Sequence, residues 1–127
     1  MVNYPVGDYL IQVKNAAKAG RKEVVVKNSK FIKSVADALV RIRILDAVEI
    51  KEDFLISRLS YHKKEPVLVD LKLVSKPGIR HYMNVEELSL RKRRNASKLI
   101  VSTPFGVMSS IEALKKNVGG EIIAEVW

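Results

Sequence analysis

The chain has 127 residues, 23 lysines and arginines against 14 acids for a net charge of +9, and no cysteine. That length makes one ordinary domain or two very small ones sharing an interface, and the missing thiols exclude a disulfide frame and any thiolate metal site. No apolar run approaches the roughly 20 residues that span a bilayer, and the opening Met-Val-Asn-Tyr-Pro-Val-Gly-Asp lacks the basic-then-apolar layout of a secretion signal, so a soluble, cytoplasmic protein is expected.

Val6, Tyr9, Leu10, Val13, Ala16 and Ala17 recur at the spacing of one helical face. Pro5 suits the first helical position, Asp8 the positive end of the helix dipole, and Gly20 a stop. Arg21 to Val26 reads as a short β-branched strand. Asn28 or Ser29 then caps a second helix whose Phe31, Val35, Leu39 and Ile42 share a face, with Lys30, Lys33, Arg41 and Arg43 outside. After Asp46 the period changes to two. Residues 48–51 and 54–59 read as one long bent strand, His62 to Pro66 as a polar turn, and Val67, Val69, Leu71 and Leu73 as its half-buried antiparallel partner.

Lys76-Pro77-Gly78 is a tight turn and the expected boundary between an α/β unit, residues 1–74, and a second unit, residues 75–127. The second unit reads as strand 79–83, an irregular stretch through Leu90, a basic cluster at Arg91-Lys92-Arg93-Arg94, and strand 99–102. A hydroxyl-bearing turn at Ser102-Thr103-Pro104, a helix over 110–116 capped by Ser109 with Glu112, a Gly119-Gly120 hinge and a final strand 121–126 complete it. Gly106 and the Gly-Gly pair mark places that need positive φ or close approach. The expected fold is α+β: an N-terminal α/β domain, two helices on a small sheet, packed against a mainly β C-terminal domain with one short helix.

Both halves are basic: 14 cations against 9 acids in residues 1–74, and 9 against 5 in 75–127, with five of the latter cations inside 91–98. Such a balance argues for a polyanionic partner, nucleic acid ahead of an anionic membrane. Arg91, Arg93 and Arg94 are candidate phosphate contacts. The hydroxyls of Ser102 and Thr103, with the amides of a helix start behind them, suit sugar or phosphate, and Phe105 or Tyr82 suits stacking on an unpaired base. Against this stands an ordinary turn whose hydroxyls satisfy local backbone groups. Ser102, His81 and Glu121 include the residue types of a hydrolytic triad, but no Gly-x-Ser-x-Gly elbow surrounds Ser102, and two distant histidines make a weak metal site. Neither catalysis nor a cofactor is expected.

Three blocks carry a resemblance: Pro5, Asp8, Asn15-Ala16 and Gly20; Val74-Ser75-Lys76-Pro77-Gly78 with Arg80 and Tyr82; and Ser102-Thr103-Pro104-Phe105-Gly106-Val107-Met108 followed by Val118-Gly119-Gly120-Glu121 and Val126-Trp127. In this order they resemble the bacterial small-subunit ribosomal protein eight family over nearly the whole chain. The resemblance implies a structural protein of the ribosome that binds the central domain of 16S rRNA directly and helps assemble the platform of the 30S subunit. It implies a monomer outside the ribosome, small-subunit proteins five and twelve as neighbours, no membrane, and repression of the protein's own operon messenger RNA. By position it puts Ser102, Thr103, Pro104, Phe105 and Gly106 in the recognition turn and Lys76, Gly78, Arg80 and Tyr82 in the neighbouring segment. Glu121 would orient Arg80 or a turn hydroxyl, and Lys30 and Lys14 would extend the footprint. Two positions depart from the family pattern: Pro104, where many members have serine, and Ile79, where many have a cation. A non-ribosomal RNA-binding regulator or RNA chaperone using the same basic face is the second reading.

Overall fold

The computed structural model describes residues 4–94 and 97–127. Helix α1 (Pro5–Lys18) starts on its proline, buries all six apolar residues of the predicted face, and gives way to Gly20 at φ 72°. Strand β1 (Glu23–Lys27) follows. Helix α2 (Lys30–Arg41) starts at Ser29, whose hydroxyl accepts the Ile32 amide at 3.2 Å. Its buried face is Ile32, Val35, Ala36, Ala38 and Leu39. Phe31 is 42% exposed, because one residue turns the helix by about 100° and Ile32 takes the inward place.

The expected long bent strand is two strands. β2 (Leu45–Lys51) and β3 (Phe54–Leu59) form an antiparallel hairpin that reverses at Glu52, φ 56°. Two polar residues between apolar runs made a turn that the shared period of two concealed. The sheet has the order β1-β3-β2, and α1 and α2 supply most of the core against it. At the centre of that core the Tyr9 hydroxyl meets the buried Ser57 hydroxyl at 2.6 Å. Burial pushes the Tyr9 pKa up to about 12, against a smaller opposing effect of the Ser57 hydrogen bond. A tyrosine that ionises near 10 when unfolded and near 12 when folded contributes stability below pH 10 that is lost as pH rises towards 12. We expect the wild-type protein to lose about 2–3 kcal/mol over that window by this route. Tyr9→Phe should cost about 1–3 kcal/mol at pH 8, by leaving Ser57 unpaired, and should flatten the alkaline loss. Urea midpoints of both proteins at pH 8 and 11.5 check this.

A small hairpin, β4 (Tyr61–His62) with β5 (Glu65–Pro66), turns on Lys63 and Lys64 at φ 50° and 70°. Strand β6 (Leu71–Leu73) keeps the expected alternation, but Val67 and Val69 before it lie outside the strand and are exposed, with Leu68 buried in their place, and β6 does not pair with β3. The reason is topological: β1 and β2 already fill both edges of β3. β6 instead pairs antiparallel with the last strand, β10 (Gly120–Val126). Between them come β7 (Tyr82–Met83), helix α3 (Val85–Arg94), β8 (Lys98–Thr103), β9 (Gly106–Ser109) and helix α4 (Ser110–Lys115). The predicted strand 79–83 shrinks to two residues because Ile79 is held by the preceding turn: Lys76 and Ile79 exchange backbone hydrogen bonds of 2.8 and 3.0 Å around Pro77-Gly78.

The stretch read as irregular is α3. Asn84 and Glu87 form a reciprocal cap, with the Glu87 amide donating to Asn84 at 2.9 Å and the Asn84 amide to Glu87 at 3.1 Å. The second sheet runs β6-β10-β8-β9, with β7 on the remaining length of β10. One face of it, including Ile100, Val107, Ile123 and Val126, joins the core under α1 and α2; the other, with Leu99, Val101, Met108 and Ile122, packs on Leu88 and Ala113 of α3 and α4. A sheet covered on both faces keeps only its ends for function.

Candidate nucleic-acid interface

At one such end the hairpin β8–β9 reverses over Pro104-Phe105, between paired Thr103 and Gly106. The Thr103 hydroxyl donates to the Gly106 carbonyl at 2.8 Å and accepts the Phe105 amide at 3.1 Å. Proline fixes φ at the first turn position, Gly106 takes φ 113°, and Phe105 stands 69% exposed at the tip. Ser102 differs: among the described residues its hydroxyl has no hydrogen-bond partner. The two hydroxyls therefore divide the work, Thr103 building the turn and Ser102 remaining open to a ligand. Ser102→Ala should weaken binding of an RNA ligand about threefold to tenfold with an unchanged melting temperature, the loss of about one hydrogen bond. Thr103→Ala should lower the melting temperature, by about 1 kcal/mol of stability, since its bonds lie within the protein. Filter binding and thermal unfolding on both variants separate the roles.

Behind the turn, Tyr82 of β7, Glu121 of β10 and Ser102 of β8 sit opposite one another in register, so their side chains share one face of the sheet. The strands come this close because two glycines permit it. A Cβ on Gly120 would overlap the Ser102 carbonyl oxygen, and one on Gly119 the Met83 carbonyl oxygen. The result is an open groove of about 720 Å³ lined by Tyr82, Ser102, Thr103, Pro104, Gly120 and Glu121, among others.

Arg80 is held at its rim. Its guanidinium lies 3.2 Å from the Glu121 carboxylate and 5.3 Å from the centre of the Tyr4 ring, a cation–π distance. Tyr4 is itself anchored by its hydroxyl, which donates to the Ser75 carbonyl at 3.1 Å; burial raises its pKa above the ordinary value, with Arg80 opposing. Glu121 thus orients Arg80, one of the two uses the sequence allowed. Tyr4 escaped the sequence reading, since nothing local signals a contact across 76 positions. Arg41 at the end of α2, expected on the outer side of the helix, instead donates to Glu112 at 3.1 Å and to the Val107 carbonyl at 2.8 Å, tying α2 to the hairpin.

Not every candidate converges here. Lys76 and Gly78 lie in the exposed turn beside Arg80, and Gly78 faces open space. Arg91 is bound to the Glu125 carboxylate and the Ser97 hydroxyl and is only 19% exposed, so it is no free phosphate contact. The side chains of Arg93 and Arg94 lie outside the described residues. Lys30 sits at the opposite end of α2 from Arg41, about 16 Å away at 1.5 Å per residue, and lines none of this groove. At the start of α4 a carboxylate is already in place: Ser109 and Glu112 cap each other there at 3.2 and 3.3 Å. Among the described residues Ser102 makes no hydrogen bond to His81, and Glu121 is engaged by Arg80, so these three do not form a nucleophile–base pair. Among the described residues there is no group of three or more metal-ligating side chains, and no helix is long and apolar enough to cross a membrane.

The family model described as "Ribosomal protein S8" matches residues 4–127 of the chain. Among its relatives, the small ribosomal subunit protein uS8 of Ruegeria pomeroyi is 39% identical over 132 residues, covering 99% of this chain and 100% of the relative. That of Nitratidesulfovibrio vulgaris strain DP4 is 36% identical over 127 residues, 100% of both chains, and that of Lactobacillus helveticus 36% identical over 128, covering 97% and 96%.

Proposed function

The chain belongs to the ribosomal protein S8 family, and from that premise we propose how it serves as a structural constituent of the small ribosomal subunit. The family is not enzymatic. In our reading the protein binds the central domain of 16S rRNA directly, helps assemble the platform of the 30S subunit, and neighbours small-subunit proteins five and twelve there. Residues 75–127 carry recognition, and residues 1–74 form the supporting α/β unit. Outside the ribosome it is a cytoplasmic monomer, and it represses its own operon by binding a messenger RNA segment that copies the ribosomal site.

The observation that carries this reading is the convergence of Tyr82, Ser102 and Glu121 from three separate strands, with Pro104 of the turn, on one groove with Arg80 and Lys76 beside it. An aromatic ring, an uncommitted hydroxyl and flanking cations are the groups that read irregular RNA: stacking for an unpaired base, a small polar group for the 2′-hydroxyl, and charge for the backbone. Pro104 gives ring contact where a serine would give a hydrogen bond, so the turn contributes shape at that place. Lys76 is exposed and, among the described residues, in no ion pair, whereas Arg80 is shared with Glu121. Lys76→Ala should therefore reduce the slope of log affinity against log salt by about 0.7–0.9, one phosphate contact. Filter binding of the central-domain helix from 50 to 300 mM salt measures it; an unchanged slope would remove Lys76 from the interface.

A further inference from the structure

The recognition groove does not end at Tyr82. Between the parts of β10 paired with β6 and with β7, residues 75–80 leave the sheet edge, and a second open groove of about 570 Å³ lies between this excursion and α3. Tyr82, Met83 and Glu87 line both grooves, so the two are continuous around the tyrosine.

The chemistry of this second groove is unbalanced in a telling way. Ile79, Leu99 and Ile122 supply apolar wall, and Ile79 is 61% exposed. Both acids that line it are spent inside the protein: Glu87 caps α3 through the Asn84 amide, and Glu125 holds Arg91 and the Ser97 hydroxyl. Two lysines that line it, Lys72 and Lys76, are exposed and make no ion pair among the described residues. An apolar wall next to an exposed aromatic ring, with uncommitted cations and no uncommitted carboxylate, suits a planar base that carries a phosphate.

We propose that this groove takes one unpaired nucleotide of the same RNA that occupies the recognition groove, its base against Ile79 and Tyr82 and its phosphate towards Lys72 and Lys76. The assignment rests on the RNA-binding reading above. Continuity selects the occupant: an RNA strand seated at Ser102 and stacked at Tyr82 reaches this groove without crossing the protein. It also gives Ile79 a use, as a base contact in place of a charge.

The test compares wild-type protein with Lys72→Ala and Ile79→Asn, both exposed positions where folding is not at stake, using the central-domain helix of 16S rRNA and 2′-hydroxyl reactivity at saturating protein. Each variant should bind fivefold to twentyfold more weakly, and one unpaired nucleotide should regain reactivity while the remaining protections persist. Lys72→Ala should also lower the salt slope by about one contact, and Ile79→Asn should leave it unchanged. Unchanged affinity and an unchanged protection pattern would overturn the proposal and leave the recognition groove standing. So would a loss spread evenly over all protections, which marks general charge and not a seated nucleotide. If the wild-type protein protects no nucleotide at all, the underlying RNA reading fails with it.

Discussion

Replacing Gly120 with alanine should destabilise the protein by about 3 kcal/mol, at the upper end of what overpacking costs. The added Cβ would overlap the Ser102 carbonyl oxygen and lie 2.9 Å from the Ser102 carbonyl carbon and 3.2 Å from the Thr103 Cα. All three are backbone atoms of β8, so no side chain can rotate away; the strands must separate. Conformational strain is not the cause, because the φ of Gly120 lies outside the left-handed region. The separation would move Ser102 away from Glu121 and Tyr82, so RNA binding should fall with stability. Gly78→Ala is the matched control: its Cβ meets nothing within 4 Å and its φ is likewise ordinary, so a change within about 0.5 kcal/mol is expected. Urea denaturation of the two variants decides it, and equal midpoints would show that the strand approach is not what Gly120 provides.

Removing the Tyr82 ring should produce the largest loss of affinity without loss of fold. The ring is 67% exposed and borders both grooves, so Tyr82→Ala removes little packing. Base–aromatic stacking is worth about 1–3 kcal/mol, and we expect RNA binding to weaken about tenfold to a hundredfold. The salt slope should not change, because no cation is lost, and the melting temperature should stay within about 2 °C of wild type. Tyr82→Phe, which keeps the ring, should bind within about threefold of wild type. A Tyr82→Ala protein that binds normally would mean the ring stacks on nothing.

The residues that carry local signals were legible in the sequence. The α1 face, the Ser29 and Ser109 caps, the Lys76–Ile79 turn and the positive φ of Gly106 all follow from chemistry within a few residues. Pairing was not. The alternation of residues 67–73 held only from Leu71 to Leu73, since Val67 and Val69 are exposed and Leu68 is buried, and it could not tell whose edge the strand joins; β6 went to β10 because β3 had no free edge. Helix α3 was missed although Asn84 and Glu87 stand at capping-box spacing, since the polar run behind them masks its periodicity and leaves Leu88 as its fully buried anchor.

In the site, composition pointed to a polyanionic partner, which fits membership of a small-subunit ribosomal protein family, and the sequence singled out the turn that carries Ser102 and Thr103. Which hydroxyl is spent depended on the exact turn, Thr103 bonding Phe105 and Gly106, and which arginine is spent on a carboxylate depended on contacts across tens of positions: Arg91 with Glu125, Arg80 with Glu121 and Tyr4. A basic cluster in sequence is a count of charges; its availability is set by the fold.

The central claim is site recognition, as opposed to attraction of a basic surface for any RNA. Filter binding of the labelled 16S central-domain helix in the presence of a hundredfold excess of unrelated RNA of equal length tests it most directly. The account predicts saturable binding that survives the competitor, with the complex lost in the Tyr82→Ala, Ser102→Ala double variant. One-for-one displacement by the unrelated RNA would contradict it.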